Sequence, residues 1–463
     1  MSWLGWLLGR RGEDEDATQD EAGIDQPFDL GTPAGPSKKG GLQLPRFQGT
    51  ANDKTRKGAD SSVEQIRFRL RNGFTPSRPV LDAEMFAGRR TLLTNLIRSI
   101  EDQQLHVVLF GARGVGKTST LHILRQIATD AHYVVRYASC GEQVHFDDMF
   151  RAVLDDIPLL YHADYEPTAD EIEEGLTFGS LIGEAPLTVS QVSEILSRVS
   201  GTRVLIVLDE FDRVSTPDFR RSIAELIKNL SDRASRVQLV IAGVASNLND
   251  LIEQIPSIRR AILGIAVPVM NDEELAQMIR IGERESGLSF SSEASSLIFR
   301  LASGLPYLCG LICLHAGLSC LDRRGVVVSD LDVWAGVRQA FEEINLRVSP
   351  ETRHAFDRAV QAGHGGELHT IAHSALRAGG LAIPEFDADT GERTPGRAVF
   401  ERIAADYPLI SPLPNDPQGA YTFLDEGAPL YFWMRDADRQ AAEAILGKGT
   451  DPAKFKPGRV AIS

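Results

Sequence analysis

The segment Gly111-Ala112-Arg113-Gly114-Val115-Gly116-Lys117-Thr118 stands between an apolar run, Leu105 to Phe110, and a helical run, Ser119 to Ala128. Few octapeptides constrain a chain so strongly, because this spacing of glycines, lysine and hydroxyl serves a strand, a phosphate-cradling loop and a helix in that order. The glycines let the backbone curl until successive N–H groups face phosphate oxygens at a helix N-terminus. Lys117 then neutralises the β and γ phosphates and the Thr118 hydroxyl completes a Mg²⁺ shell. Gly111, Gly114, Val115, Gly116, Lys117, Thr118 and Ser119 are the candidate contacts to ATP and Mg²⁺.

Around this loop, from Ser61 to about Met270, helical periods alternate with short β-branched runs, the pattern of a parallel sheet covered on both faces. Five core strands are predicted: Leu105 to Phe110, His132 to Ala138, Val204 to Leu208, Val237 to Gly243 and Ile265 to Val269. The acidic, helix-like stretch Asp164 to Gly175 reads as an insertion or surface excursion. After Met270, Asn271 can cap a helix beginning Asp272-Glu273-Glu274, and apolar helical periods continue to about Leu346, so 271–346 is expected to be all-α. Residues 347–446 read as helices, then Leu409 to Leu413, a turn, and Tyr421 to Leu424, which suggests a winged helix.

The strand Val204 to Leu208 ends in Asp209-Glu210, two adjacent acids where a buried strand emerges. Asp209 is assigned to the metal and Glu210 to the general base, the competing role for Glu210 being an ion pair with a nearby arginine. The next strand leads to Val244-Ala245-Ser246-Asn247, where the Asn247 amide can orient a water or touch the γ-phosphate, or else cap the following helix. Arg259 and Arg260 lie before the fifth strand and are candidates for an arginine finger acting on a neighbouring subunit, the alternative being a solvated surface pair.

Composition narrows the remaining classes. The 463 residues carry 49 Lys plus Arg against 64 Asp plus Glu, a formal charge of −15, which opposes generic binding to nucleic acid or anionic lipid. No stretch approaches the roughly 18 apolar residues that span a bilayer, so a cytoplasmic location is expected. Residues 1–60 mix 10 acidic and 8 basic residues with Gly, Pro and Ser and read as a flexible arm, and 447–463 as a loose tail. The tip of the arm, residues 1–11, carries Trp3, Leu4, Trp6, Leu7 and Leu8 before Arg10 and Arg11, which admits peripheral membrane contact or docking on a partner. Cys140, Cys309, Cys313 and Cys320 include no CxxC pair and read as reduced core residues. His364, His369 and His373 are expected on a polar helix face.

Taken together, Phe86-Ala87-Gly88-Arg89, the phosphate loop, Leu208-Asp209-Glu210-Phe211-Asp212, the Ser246-Asn247 turn and Gly304-Leu305-Pro306 resemble AAA+ ATPases. Within that group the chain is similar to bacterial ATPases of the origin-recognition-like kind and to the related STAND signalling ATPases. The resemblance covers about residues 70 to 345 well, and 350 to 445 by architecture. It implies that Gly88 and Arg89 lie by the adenine, that a helical lid carrying Pro306 closes over the nucleotide, and that a winged helix follows. Where initiators carry a sensing arginine on the lid, this chain has Gly304-Leu305-Pro306-Tyr307, closer to the STAND arrangement. The expected fold is therefore an α/β P-loop NTPase sheet of the AAA+ type (61–270), an all-α lid (271–346) and a winged-helix-like segment (347–446). The expected function is an ATP-hydrolysing switch that engages a protein partner or associates with itself. The alternative is a nucleic-acid loader or transposition-type helper whose winged helix contacts DNA. Against that alternative, Phe341 to Leu446 holds 17 acidic and 9 basic residues, a net of −8 with no lysine.

Overall fold

In the computed structural model, residues 61–244, 258–386, 393–413, 416 and 418–445 are described, and they fall in one compact unit, Gly58–Ser463. The expected arm, the tail and Asn247 lie outside the described residues. At the centre is a five-stranded sheet: β1 His106–Gly111, β2 Val134–Ser139, β3 Val204–Asp209, β4 Val237–Val244 and β5 Ile262–Ala266. Its order is β2-β3-β4-β1-β5 and every neighbouring pair is parallel. A parallel sheet needs cover on both faces, and β3 is buried along its whole length. Alternation along the strands sorts the side chains. Val108, Ile206, Leu208, Leu239 and Ile241 pack toward helices Phe146–Asp155 and Pro217–Asp232. Val107, Leu109, Leu205, Val207 and Val240 pack toward helices Arg90–Glu101 and Lys117–Asp130. Each such buried Val, Leu or Ile contributes about 1.5–3 kcal/mol.

Four strands lie within two residues of their expected bounds, while the fifth begins and ends three residues earlier than Ile265 to Val269. The reason is Pro268, which has no N–H to give the ladder. The last bond on this edge runs from Val267 N–H to the Phe110 carbonyl. In the acidic excursion only Ala169–Glu173 is α-helical, held by a capping box between Thr168 and Glu171.

Residues 272–345 form four helices, Asp272–Ser286, Ser292–Ala302, Pro306–Asp322 and Asp330–Asn345. As expected, Asn271 caps the first, its side chain accepting from Glu274 N–H while the Glu274 carboxylate accepts from Asn271 N–H. The helix Ser61–Gly73 packs on this helical layer, with its Leu70 and the following Phe74 in the shared core. Beyond Leu346 come helices Pro350–Gln361, Gly365–Arg377, Arg397–Asp406 and Ala428–Ile445. They accompany a three-stranded antiparallel sheet in which Tyr421–Phe423 lies between Leu381–Ala382 and Ile410–Pro412.

One hydrophobic core runs without a break from the helical layer into this last segment. Trp433 sits in it, and its indole N–H donates to the Leu301 carbonyl at 2.8 Å. His369 and His373 correct the expectation of a polar helix face: both are buried, with rings stacked on Trp433 at 5.0 and 4.4 Å. Burial pushes the His373 imidazole down to about 3, and it shares a hydrogen bond with Ser303 Oγ. All four cysteines are free, buried thiols. No described helix is long and apolar enough to cross a membrane.

Candidate nucleotide site

The C-terminal ends of β1, β3 and β4 meet at a cavity of about 1110 Å³. Because β1 and β3 both pair with β4, the loop after β1 and the acids after β3 are held on opposite sides of one strand. Gly114, Val115, Gly116, Lys117, Thr118 and Ser119 all line the cavity, while Gly111 ends β1 beneath it. Lys117 opens the helix Lys117–Asp130. Its ammonium donates to the Gly111 and Ala112 carbonyls at 2.9 and 3.0 Å. Burial pulls Lys117 down to about 8, although Asp212 and Asp209 favour its charge. Ser119 Oγ accepts from Val80 N–H at 3.1 Å, which ties the segment before Arg90 to the phosphate loop.

At the end of β3, Asp209 is only 3% exposed, and its carboxylate accepts from Tyr137 O–H at 2.6 Å and from Glu210 N–H at 2.8 Å. Burial, reinforced by this bond, raises the Tyr137 phenol, so it stays a donor. Glu210 has φ +55°, a left-handed conformation that costs a non-glycine residue energy and turns its side chain out of the strand's alternation. Its Oε2 accepts from Ser139 Oγ at 3.0 Å and from Arg213 Nη1 at 2.9 Å. The ion pair weighed for Glu210 is thus present, on the cavity wall. Asp212 Oδ1 accepts from Val244 N–H at 2.8 Å and so pins the end of β4 to the turn after β3.

The helical layer closes the other side. Gly88 N–H donates to Gln277 Oε1 and Arg89 N–H to Glu274 Oε1, at 3.0 and 2.8 Å. The Arg89 guanidinium is buried and donates to the Pro268 carbonyl and, at 2.9 Å, to the Val115 carbonyl. Arg89 lines the cavity and bonds sheet, phosphate loop and helical layer together, whereas Gly88 lies behind it. Pro306 and Tyr307 lie directly on the phosphate loop. Tyr307 N–H reaches the Gly114 carbonyl, and a Cβ added to Gly114, whose φ is +77°, would stand 3.1 Å from Tyr307 Cβ.

Two further contacts come from the C-terminal segment, one to Tyr307 and one to the loop itself. Arg347 Nη1 donates to Tyr307 Oη at 2.6 Å, and Arg113 Nη1 pairs with Glu426 Oε2 at 2.8 Å across 313 positions of sequence. Tyr307, Arg213, Asp212 and Glu426 all line the cavity and none is a candidate from sequence. Asp212 and Tyr307 had a visible signal, as the last acid of Leu-Asp-Glu-Phe-Asp and the last residue of Gly304-Leu305-Pro306-Tyr307.

Arg259 and Arg260 are exposed on the turn before β5, outside the cavity wall. In register Ile262 faces His106, so this turn is at the opposite end of β1 from the phosphate loop, roughly 17 Å along the strand. Within the chain they cannot reach the site. For Mg²⁺, the site offers hard oxygen donors, the Thr118 hydroxyl and the Asp209 carboxylate, a donor set suited to an ion that keeps several waters and binds phosphate oxygens. Among the described residues no group of three or more His, Cys, Asp or Glu is placed to hold a metal by itself.

A glycine-bearing loop between strand and helix, acids on a strand two places away, and a helical layer laid over both make the arrangement of a P-loop nucleotide site. More narrowly, residues 78–308, just under half of the chain, match the family model described as Novel STAND NTPase 1. The chain is a P-loop NTPase that resembles the AAA+ and STAND ATPases. No curated protein matches. Among solved structures, the RuvB Holliday junction branch migration motor of Thermotoga maritima is 15% identical, with a TM-score of 0.41 over 74% of this chain and 95% of its own. The Walker-type ATPase PABY2304 of Pyrococcus abyssi is 16% identical, with a TM-score of 0.46 over 77% and 98%. Cdc6p of Pyrobaculum aerophilum is 14% identical, with a TM-score of 0.41 over 80% and 98%. At these values nothing of their activities transfers.

Proposed function

We propose that the chain binds and hydrolyses ATP and works as a switch, with the nucleotide setting the relation between the sheet, the helical lid and a winged-helix-like C-terminal segment. The observation that carries this reading is that all three parts place residues on one cavity: Lys117 from the loop, Tyr307 from the lid and Glu426 from the C-terminal segment. A ligand held there touches every element whose arrangement could change. The hairpin Ile410–Pro412/Tyr421–Phe423 beside the four helices of this segment supports the winged-helix reading. Its acidity favours contact with a protein over contact with DNA. An arginine-finger role for Arg259 or Arg260 would have to be exerted on a neighbouring copy, because both lie at the far end of the sheet.

In the reaction, the loop N–H groups and Lys117 hold the β and γ phosphates, and Arg89 keeps the loop and lid in register. Thr118 and Asp209 are the residues that would hold Mg²⁺, which supplies charge neutralisation to the phosphate oxygens. Glu210 takes a proton from water as the water oxygen bonds to the γ-phosphorus and the bond to the β–γ bridging oxygen breaks, releasing ADP and phosphate. Replacing Glu210→Gln keeps the shape and removes the base. We expect Mg·ATP affinity to be retained and turnover to fall about 10²- to 10⁴-fold. Turnover at the wild-type rate would remove Glu210 from this role.

A further inference from the structure

The Glu210 carboxylate carries two donors on one oxygen. Ser139 Oγ and Arg213 Nη1 both bond Oε2, at 3.0 and 2.9 Å, and among the described residues Oε1 accepts no hydrogen bond. The two donors come from different elements, the end of β2 and the turn Phe211–Arg213 that follows β3. They fix the carboxylate from two directions, while the left-handed backbone of Glu210 sets where it begins. Arg213 itself lines the cavity, is half exposed, and has its backbone N–H bonded to the Glu210 carbonyl at 3.0 Å. The Arg213 and Glu210 side chains are both about half exposed. A charge-assisted bond between groups this exposed adds little to stability, so a role in the fold does not explain it.

We infer that Arg213 is a positioning residue for hydrolysis: with Ser139 it clamps Glu210 Oε2, so that Oε1 is held toward the cavity to accept the proton of the attacking water. This rests on the proposed role of Glu210 as base. A base displaced by about 1 Å loses up to roughly 100-fold in rate, which sets the size of the expected effect. Arg213 acts through Glu210, so its contribution exists only while Glu210 is a carboxylate.

The test is a double-mutant cycle on the full chain, with ATP and Mg²⁺, reading kcat and nucleotide affinity separately. Arg213→Ala should lower kcat roughly 10- to 100-fold with ATP affinity changed less than about threefold, and Arg213→Lys should restore part of the loss. In the Glu210→Gln background the same Arg213→Ala change should cost less than about twofold. An unchanged kcat in Arg213→Ala, or an equal loss in both backgrounds, overturns the inference. Thermal melting of each variant separates misfolding from loss of position, and a variant that melts early is replaced in the cycle by Arg213→Gln. If Glu210→Gln hydrolyses at the wild-type rate, the reading of the base has failed instead, and the two failures are distinguishable.

Discussion

Lys117 sits where burial and charge oppose each other. Burial lowers it to about 8 and outweighs the pull of Asp212 and Asp209 toward the charged form. Triphosphate beside its ammonium adds negative charge and favours protonation, so the bound state holds more protons than the free state in the range above about pH 8. Affinity for ATP should therefore fall as pH rises through about 8 to 10, with net proton uptake on binding at about pH 9. Calorimetry in two buffers of different ionisation heat measures that uptake, and its absence would show that Lys117 does not titrate in this range. Lys117→Ala should abolish tight binding and leave the melting temperature unchanged. The place of Lys117 on the cavity was legible because the loop spacing fixes it. The places of Arg213 and Glu426 were not, since each depends on the turn or helix that carries it.

Among the elements, the joint between sheet and lid is the most constrained. Gly304 ends the turn after helix Ser292–Ala302 with φ +75°, and its carbonyl accepts from Met270 N–H at 2.7 Å. A Cβ at Gly304 would stand 2.6 Å from the Met270 carbonyl oxygen and 2.8 Å from Val269 Cβ. Gly304→Ala should cost about 1–3 kcal/mol from strain, before any adjustment of the lid. A denaturant titration that finds less than about 0.5 kcal/mol would show that the joint relaxes freely. The cap at Asn271 was readable because capping is local, four residues deciding it. The early end of β5 was readable too in principle, because Pro268 cannot join the ladder, yet the apolar run Ile265 to Val269 outweighs that one residue in a pattern.

At the scale of the molecule, the helical lid and the C-terminal segment share a core, with Trp433 bonded across it to Leu301 and flanked by His369 and His373. Removing that indole should open a cavity at the contact of the two parts. Trp433→Ala is expected to destabilise the chain by about 3–5 kcal/mol and to lower the unfolding midpoint of both parts together. Hydrogen exchange that loosens only residues beyond 346 would show that the two parts unfold independently. The three bridges to the phosphate loop, from Tyr307, Arg347 through Tyr307, and Glu426, place this shared body over the nucleotide site.

The sequence alone determined what nearby residues decide together: the phosphate loop, the apolar strand ending in Asp209 and Glu210, the alternation that builds a two-faced parallel sheet, and the caps that start helices. Tertiary structure decided what depends on residues far apart in the chain. It placed Arg113 against Glu426, buried two histidines on Trp433, turned Arg89 inward to tie the loop to the lid, and set Arg259 and Arg260 at the far end of the sheet. The physical reason is that spacing along the chain encodes backbone geometry and periodic burial, whereas the partner of a long charged or aromatic side chain is chosen only when separate elements pack and remove it from water.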